Sequence, residues 1–248
     1  MGRTYFNHGI VGNGKILASF TDKGELNRIF WPEPDFYQQI NNISIGIKYD
    51  DTETKFLNEN VWYTEQSYEK NTVVLNTLFE NSDYGLRIHQ KDFVLENKDI
   101  LIREYIIENI CERELNIKTF VHTDFVTDPM NVRSGVMDFE NDLAVLYNKV
   151  SSVAIASQHK IAKFQFGNEV KNAVKYDCLF GKDDISMTSD MGLKWELGML
   201  KPGNTINFNM YFCFASNVNE AVELCNNVRK EDIELLERNT KKYWKDFF

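Results

Sequence analysis

Cysteine is sparse in this chain, with four residues, Cys111, Cys178, Cys213 and Cys225, among 248. No two of them have the Cys-x-x-Cys spacing of a zinc or redox site, so neither chemistry is expected, and no metal or other cofactor is expected elsewhere. Cys178 and Cys213 sit in apolar, strand-like runs and read as small core residues. Reduced thiols are expected. The Met-Gly-Arg-Thr-Tyr-Phe start lacks the apolar stretch of a secretory signal, so the expected location is cytoplasmic. No apolar run approaches the length of a membrane span. Positive charge is also in deficit, 28 Lys and Arg against 37 Asp and Glu, for a formal net charge of −9. Such a surface repels phosphate backbones and anionic lipid heads, which argues against nucleic-acid and membrane partners. Neutral glucans are indifferent to it. There is no Gly-x-Ser-x-Gly elbow, and Gly12-x-Gly14 lacks the third glycine of a nucleotide loop, so it reads as a hairpin turn.

What is abundant is aromatic surface: 18 Phe, 11 Tyr and 4 Trp. Aromatics suit half-buried sheets and, less commonly, sugar-binding faces. Alternation with period two runs through Ile43–Tyr49, through Val73, Leu75, Thr77 and Phe79, and through Leu115, Ile117, Thr119 and Val121. It returns at Ile206, Phe208, Met210, Phe212 and Phe214, leaving Asn207, Asn209, Tyr211 and Cys213 for an opposite, more polar face. Turn residues at Gly12-Asn13-Gly14, Thr21–Gly24 and Lys201–Asn204 separate the strands. Many short-spaced strands with little helix between them predict a mostly β, antiparallel sandwich over residues 1–216. From Asn217 the period changes to that of a helix, with Glu220 at the capping-box position. A second helical stretch, Glu231 to Phe248, carries an apolar stripe of Ile233, Leu236, Tyr243, Trp244 and Phe247. Residues 217–248 are therefore expected to form a helical segment leading onward.

Few residues suggest chemistry. His122 and Asp124 share a strand face with Lys118 and Phe120, because residues two apart point the same way. A lone histidine oriented by an aspartate is the commoner reading, since no third group accompanies them at a recognisable spacing. Glycoside hydrolysis needs two carboxyls flanking the scissile bond. Of Glu33, Asp35, Asp50, Asp51, Asp183 and Asp184 most lie in hydrophilic turns, and no catalytic pair emerges. The loop Trp31-Pro32-Glu33-Pro34-Asp35-Phe36-Tyr37 holds two of the four prolines and three aromatics. Trp31, Phe36 and Tyr37 are candidates for contact with a sugar or another domain, or for a rigid cover over the core. Tyr243, Trp244 and Phe247 are candidates on the last helix.

Several short motifs occur in the order found in one family. Val11–Leu17 with its Gly-Asn-Gly hairpin, Asp22-Lys23-Gly24 and Ile29-Phe30-Trp31-Pro32 come first. Phe120-Val121-His122-Thr123-Asp124-Phe125, Leu200-Lys201-Pro202-Gly203 and Thr240-Lys241-Lys242-Tyr243-Trp244 follow. The series resembles the N-terminal domain of bacterial and archaeal glucoamylase-like enzymes, glycoside hydrolase family 15. The loop after Trp31-Pro32 departs from the family in lacking its histidine and glycine, and the Asp183–Gly192 stretch is shorter. The resemblance implies a supersandwich of two large antiparallel sheets, galactose-mutarotase-like. It also implies a helical barrel in the same polypeptide, which carries both catalytic carboxyls and works by inversion. No residue here matches those carboxyls, so no catalytic residue is assigned. The expected partners are that barrel and α-glucan. The alternatives are a stand-alone carbohydrate-binding module, a mutarotase-like enzyme using His122 with a carboxylate, and an assembly protein pairing through sheet edges and the last helix.

Overall fold

A computed structural model describes residues 8–126, 132–167, 169–181, 185–188 and 190–247. The first of two antiparallel sheets contains β1 (Gly9–Gly12), β2 (Leu17–Phe20), β3 (Leu26–Phe30), β4 (Ile40–Tyr49), β5 (Lys55–Phe56), β10 (Leu115–Phe125), β14 (Ile161–Phe166) and β16 (Asp190–Leu200). Their order is β1-β2-β3-β4-β10-β16-β14, with β5 added to β4. The second contains β6 (Tyr63–Tyr68), β7 (Leu75–Asn81), β8 (Leu86–Val94), β9 (Ile100–Asn109), β11 (Ser134–Asp138), β12 (Leu143–Tyr147), β13 (Ser152–Ser157), β15 (Ile185–Ser186) and β17 (Thr205–Ala215). They run in the order β15-β11-β12-β13-β17-β9-β8-β7-β6. Three helices complete the described chain: α1 (Val170–Lys175), α2 (Val218–Val228) and α3 (Ile233–Phe247). The antiparallel sandwich expected from the alternation is observed, in the form of the two-sheet supersandwich that the resemblance implies.

The inner faces follow from period two. On β4, Ile43, Ile45 and Ile47 enter the shared core, and β10 adds Leu115, Ile117 and Val121. From the other sheet come Tyr105 and Ile107 of β9, with Phe208, Met210, Phe212 and Phe214 of β17. Such area removed from water, at about 25 cal/mol per Å², is the main term holding the sheets together. Between β10 and β16 the register shifts after Ile117, where Leu197 and Gly198 oppose one step of the partner strand. Gly198 takes φ +90°, a conformation that glycine adopts without a Cβ clash.

The second sheet is buried on both faces where α2 covers β12, β13 and β17, and exposed at its β6 edge. Tyr211 and Cys213, expected on a wetter face, are 2 % and 0 % exposed, because α2 lies over them with Ala221, Cys225 and Val228. Asn217 caps α2 as expected, its side chain accepting from the Glu220 backbone N–H at 3.0 Å. Helix α1 was not anticipated. It seats Val170 and Val174 on Phe120 and Phe56, on the far side of the first sheet. Gly192 of β16 permits that approach, since a Cβ there would stand 2.7 Å from Val170 Cγ1. Cys178 follows α1 and is exposed, so its reading as a core strand residue is corrected. The apolar run around it is a helix end and loop, in which only Leu179 turns inward. The layers are thus α1, first sheet, second sheet, and α2 with α3. Among the described residues no helix is long and apolar enough to cross a membrane.

Candidate functional site

The outer face of the first sheet gathers the polar chemistry. His122 lies on β10 between Ser44 of β4 and Gly192 of β16, and Asp124 lies between Asn42 and Asp190. Cross-strand partners share a face, so one row of side chains forms across three strands. His122 is 5 % exposed, and its Nε2 stands 3.7 Å from Asp190 Oδ1, close enough for charge to act but too long for a hydrogen bond. Its Nδ1 has no hydrogen-bond partner. Asn41 donates to Asp124 Oδ1 at 3.1 Å, and Ser44 Oγ donates to Glu25 Oε1 at 2.8 Å. Burial holds the Asp124 carboxyl above its ordinary value. The Asn41 hydrogen bond opposes this, the charge of Asp190 adds to it, and His122 opposes it. The row is a histidine among three carboxylates, Glu25, Asp124 and Asp190. Such a row can hold and move a proton.

A second row lies beyond Phe120. Three lysines converge on Asp177, which stands just past α1: Lys194 Nζ at 2.8 Å, Lys48 at 3.0 Å and Lys118 at 3.8 Å. Glu196 meets Lys194 at 3.2 Å. Burial raises the Asp177 carboxyl, but hydrogen bonds from Lys194 and Lys48 and the lysine charges more than offset it, leaving the group below its ordinary value. Helix α1 packs on Phe120, which lies between Lys118 and His122 on β10. Among the described residues no group of three or more His, Cys, Asp or Glu could hold a metal ion.

The aromatic candidates divide. Trp31 is 6 % exposed, its Nε1 donates to Asp99 Oδ2 at 3.0 Å, and its ring stacks on Phe214. It anchors the loop from inside, in keeping with the rigid-cover alternative for this loop. Phe36 is half-buried and meets Tyr37 edge-on at 4.9 Å between ring centres, while Tyr37 is 65 % exposed. Tyr37 overhangs a cavity of about 250 Å³ that Gln38, Arg133, Asn148 and Val150 also line.

On α3 the apolar stripe splits. Ile233 and Leu236 pack on the second sheet, whereas Tyr243 is 42 % and Phe247 69 % exposed, beside exposed Leu235. Trp244 is half-buried and contacts both Tyr243 and Phe247 edge-on. The helix is held mainly by polar contacts: Glu237 with Lys91 at 3.0 Å and Lys241 at 2.7 Å, Lys241 with Glu69 at 2.5 Å, and Thr240 Oγ1 donating to Glu96 at 3.2 Å. His122 and Asp124 therefore lie on the outer face of the first sheet, Tyr37 lies on a loop, and the α3 aromatics lie behind the second sheet. Asp190, Asp177, Lys194 and Arg133 escaped the sequence reading, because only strand register and the chain fold bring them to these places.

The fold is a β-supersandwich of the galactose-mutarotase kind. No protein-family model matches the chain. A protein of Methanocaldococcus jannaschii described as an uncharacterized glycosyl hydrolase is 27 % identical over 209 residues, 82 % of this chain and 33 % of that protein. A bacterial glucoamylase solved in complex with acarbose superposes with a TM-score of 0.79 at 13 % identity, over 98 % of this chain and 37 % of that one. Galactose 1-epimerase of Lactobacillus acidophilus superposes with a TM-score of 0.53 at 8 % identity, over 84 % of this chain and 93 % of that one. The chain thus spans about a third of the length of the first two. These likenesses support a glycoside-hydrolase-like, sugar-related domain.

Proposed function

We propose that this chain is the non-catalytic N-terminal β domain of a glucoamylase-type glycoside hydrolase of family 15, acting on α-glucosidic bonds. Its role is to support and shield a helical catalytic barrel of the same polypeptide. The observation that supports this most is one of coverage: nearly the whole chain superposes on little more than a third of the glucoamylase. The surface of α3 is consistent with it, because Leu235, Tyr243 and Phe247 offer an apolar strip that a second body could cover. The reading places the protein in the cytoplasm, working without a cofactor on neutral glucan.

The test compares the 248-residue chain with a polypeptide extended through the region that matches the rest of the relatives. The chain alone is expected not to hydrolyse maltose, isomaltose or soluble starch, and the longer protein to hydrolyse one of them with inversion, followed by polarimetry. Y243S/F247S is expected to lower the Tm of the longer protein by several degrees and leave that of the chain alone nearly unchanged. Hydrolysis by the chain alone would sink the proposal.

The buried His122 row favours a second reading, a mutarotase-like activity in which His122 and a carboxylate exchange protons with a sugar's anomeric hydroxyl and ring oxygen. Accelerated mutarotation of α-D-glucose by the chain, lost in H122N, would select it.

A further inference from the structure

Among the described residues two arginines are buried, and they are treated in opposite ways. Arg103 has a carboxylate, Asp92, at 2.7 Å. Arg133, which precedes β11, is 2 % exposed and has no carboxylate within ion-pair distance among the described residues. Its Nη2 donates to Gln39 Oε1 at 2.5 Å, its Nε donates to the Val126 carbonyl at 3.3 Å, and its guanidinium lies over the Phe125 ring at 5.0 Å. Nη1 has no hydrogen-bond partner. Burial alone pushes this guanidinium down to about 10, which still leaves it charged near neutral pH. A buried charge of this kind is costly and stands to gain from any anion that reaches it.

Arg133 forms part of the wall of the 250 Å³ cavity under Tyr37. Gln39 fixes it in place and is itself fully engaged, its amide nitrogen donating to the carbonyls of Trp31 and Tyr37. Asn148 has its carbonyl oxygen taken by the backbone of Val150 and Ser151, so what it can offer a ligand is its NH₂ group. Val150, 46 % exposed, and the open ring of Tyr37 supply apolar wall. The cavity therefore presents one fixed positive charge, amide donors, and an aromatic face suited to the C–H side of a pyranose. At this volume it accommodates one sugar ring and not a chain. A neutral hexose would leave the charge unanswered, and the net charge of −9 opposes the approach of a polyanion.

We propose that this cavity binds a single uronic acid residue, its carboxylate on Arg133 and its ring against Tyr37. This goes beyond the accessory-domain reading and does not depend on it. The test titrates the 248-residue chain with D-glucuronate, D-glucose and acetate by calorimetry. Glucuronate is expected to bind saturably, with glucose and acetate each at least about tenfold weaker. R133M is expected to weaken glucuronate binding at least about tenfold, the loss of one charge-assisted hydrogen bond, with little change in Tm, because the hydrogen bonds to Gln39 and Val126 that it removes are offset by the removal of a buried charge with no carboxylate beside it among the described residues. Y37A, at an exposed position, is expected to weaken it at least about threefold. Glucose or acetate binding as tightly as glucuronate would overturn the proposal, as would undiminished binding by R133M. Should R133M fail to fold, unchanged binding by Y37A decides against the site.

Discussion

Replacing Asp92 with alanine tests the least solvated charge pair in the molecule. Arg103 and Asp92 are 1 % and 0 % exposed, between the sheets. Arg103 Nε donates to Asp92 Oδ1 at 2.7 Å, and its Nη2 donates to the Gly24 carbonyl at 2.9 Å, tying the β2–β3 turn to the second sheet. Gln90 donates to the other Asp92 oxygen at 2.5 Å. Burial alone pulls the guanidinium down, and the Asp92 charge more than offsets this, so the net shift is upward. D92A leaves a cation that cannot shed its proton, at an expected cost of about 3–5 kcal/mol. With a urea m-value of about 3 kcal/mol/M, the unfolding midpoint falls by about 1–1.7 M. R103M behaves differently, because the buried Asp92 it leaves behind can take up a proton. Desolvation raises that carboxyl in the folded state above its ordinary value of 3.8. The native state then binds more protons than the unfolded one, so R103M regains stability as pH falls from 8 through the raised pKa toward 3.8. The double variant D92L/R103M removes both charges and is expected to recover at least half of the D92A loss. A D92A cost below about 1 kcal/mol, or a double variant no better than D92A, would refute the reasoning.

Two further outcomes follow from the geometry. N217A removes the acceptor for the Glu220 N–H and is expected to cost about 1 kcal/mol, read as a lower thermal midpoint with unchanged strand signal. D177N leaves Lys48, Lys118 and Lys194 facing one another, and is expected to destabilise by about 1 kcal/mol at neutral pH. Because the Asp177 carboxyl is depressed when folded, its contribution is present above the ordinary 3.8 and lost as pH falls through the lower folded value. The acid limb of a stability-versus-pH curve should therefore be shallower in D177N below about pH 4.

How much could be read from sequence depended on how local the cause was. The Ile43–Tyr49 and Ile206–Phe214 alternations specify an inner face by themselves, and the Asn217–Glu220 cap is a contact within four residues, so these features were legible. Helix α1 was missed because six residues carry little periodic signal and its seat is made by Gly192, which comes later in the chain. Cys178 was misread for the same reason. For Trp31 the sequence leaves surface contact and core cover open, and its hydrogen bond to Asp99, 68 residues away, shows it to be an anchor. The Asp190–His122 approach needs the β10–β16 register, and the lack of a carboxylate beside Arg133 among the described residues depends on its whole surroundings. Neither is encoded in any short stretch.

The two C-terminal helices, alike in sequence pattern, stand in different relations to the sandwich. Helix α2 covers Tyr211, Cys213, Ala154 and Ala156 with side chains that are themselves fully buried. Removing it would strip apolar area from the second sheet at about 25 cal/mol per Å², so α2 belongs to the fold of the β domain. Helix α3 is fastened by Lys91, Glu69, Glu96 and Lys241, all partly solvated, around Glu237 and Thr240. Contacts of this kind contribute little each and weaken with salt. Salt or a charge-reversing substitution such as K91E should therefore loosen α3 while α2 and both sheets stay folded. Hydrogen exchange would show this as earlier loss of protection in residues 233–247 than in 218–228. A helix that can leave its seat at low cost, and carries apolar side chains on its outer side, is suited to being held by a second body. The physical case for a neighbour on this side of the molecule therefore rests on α3 alone.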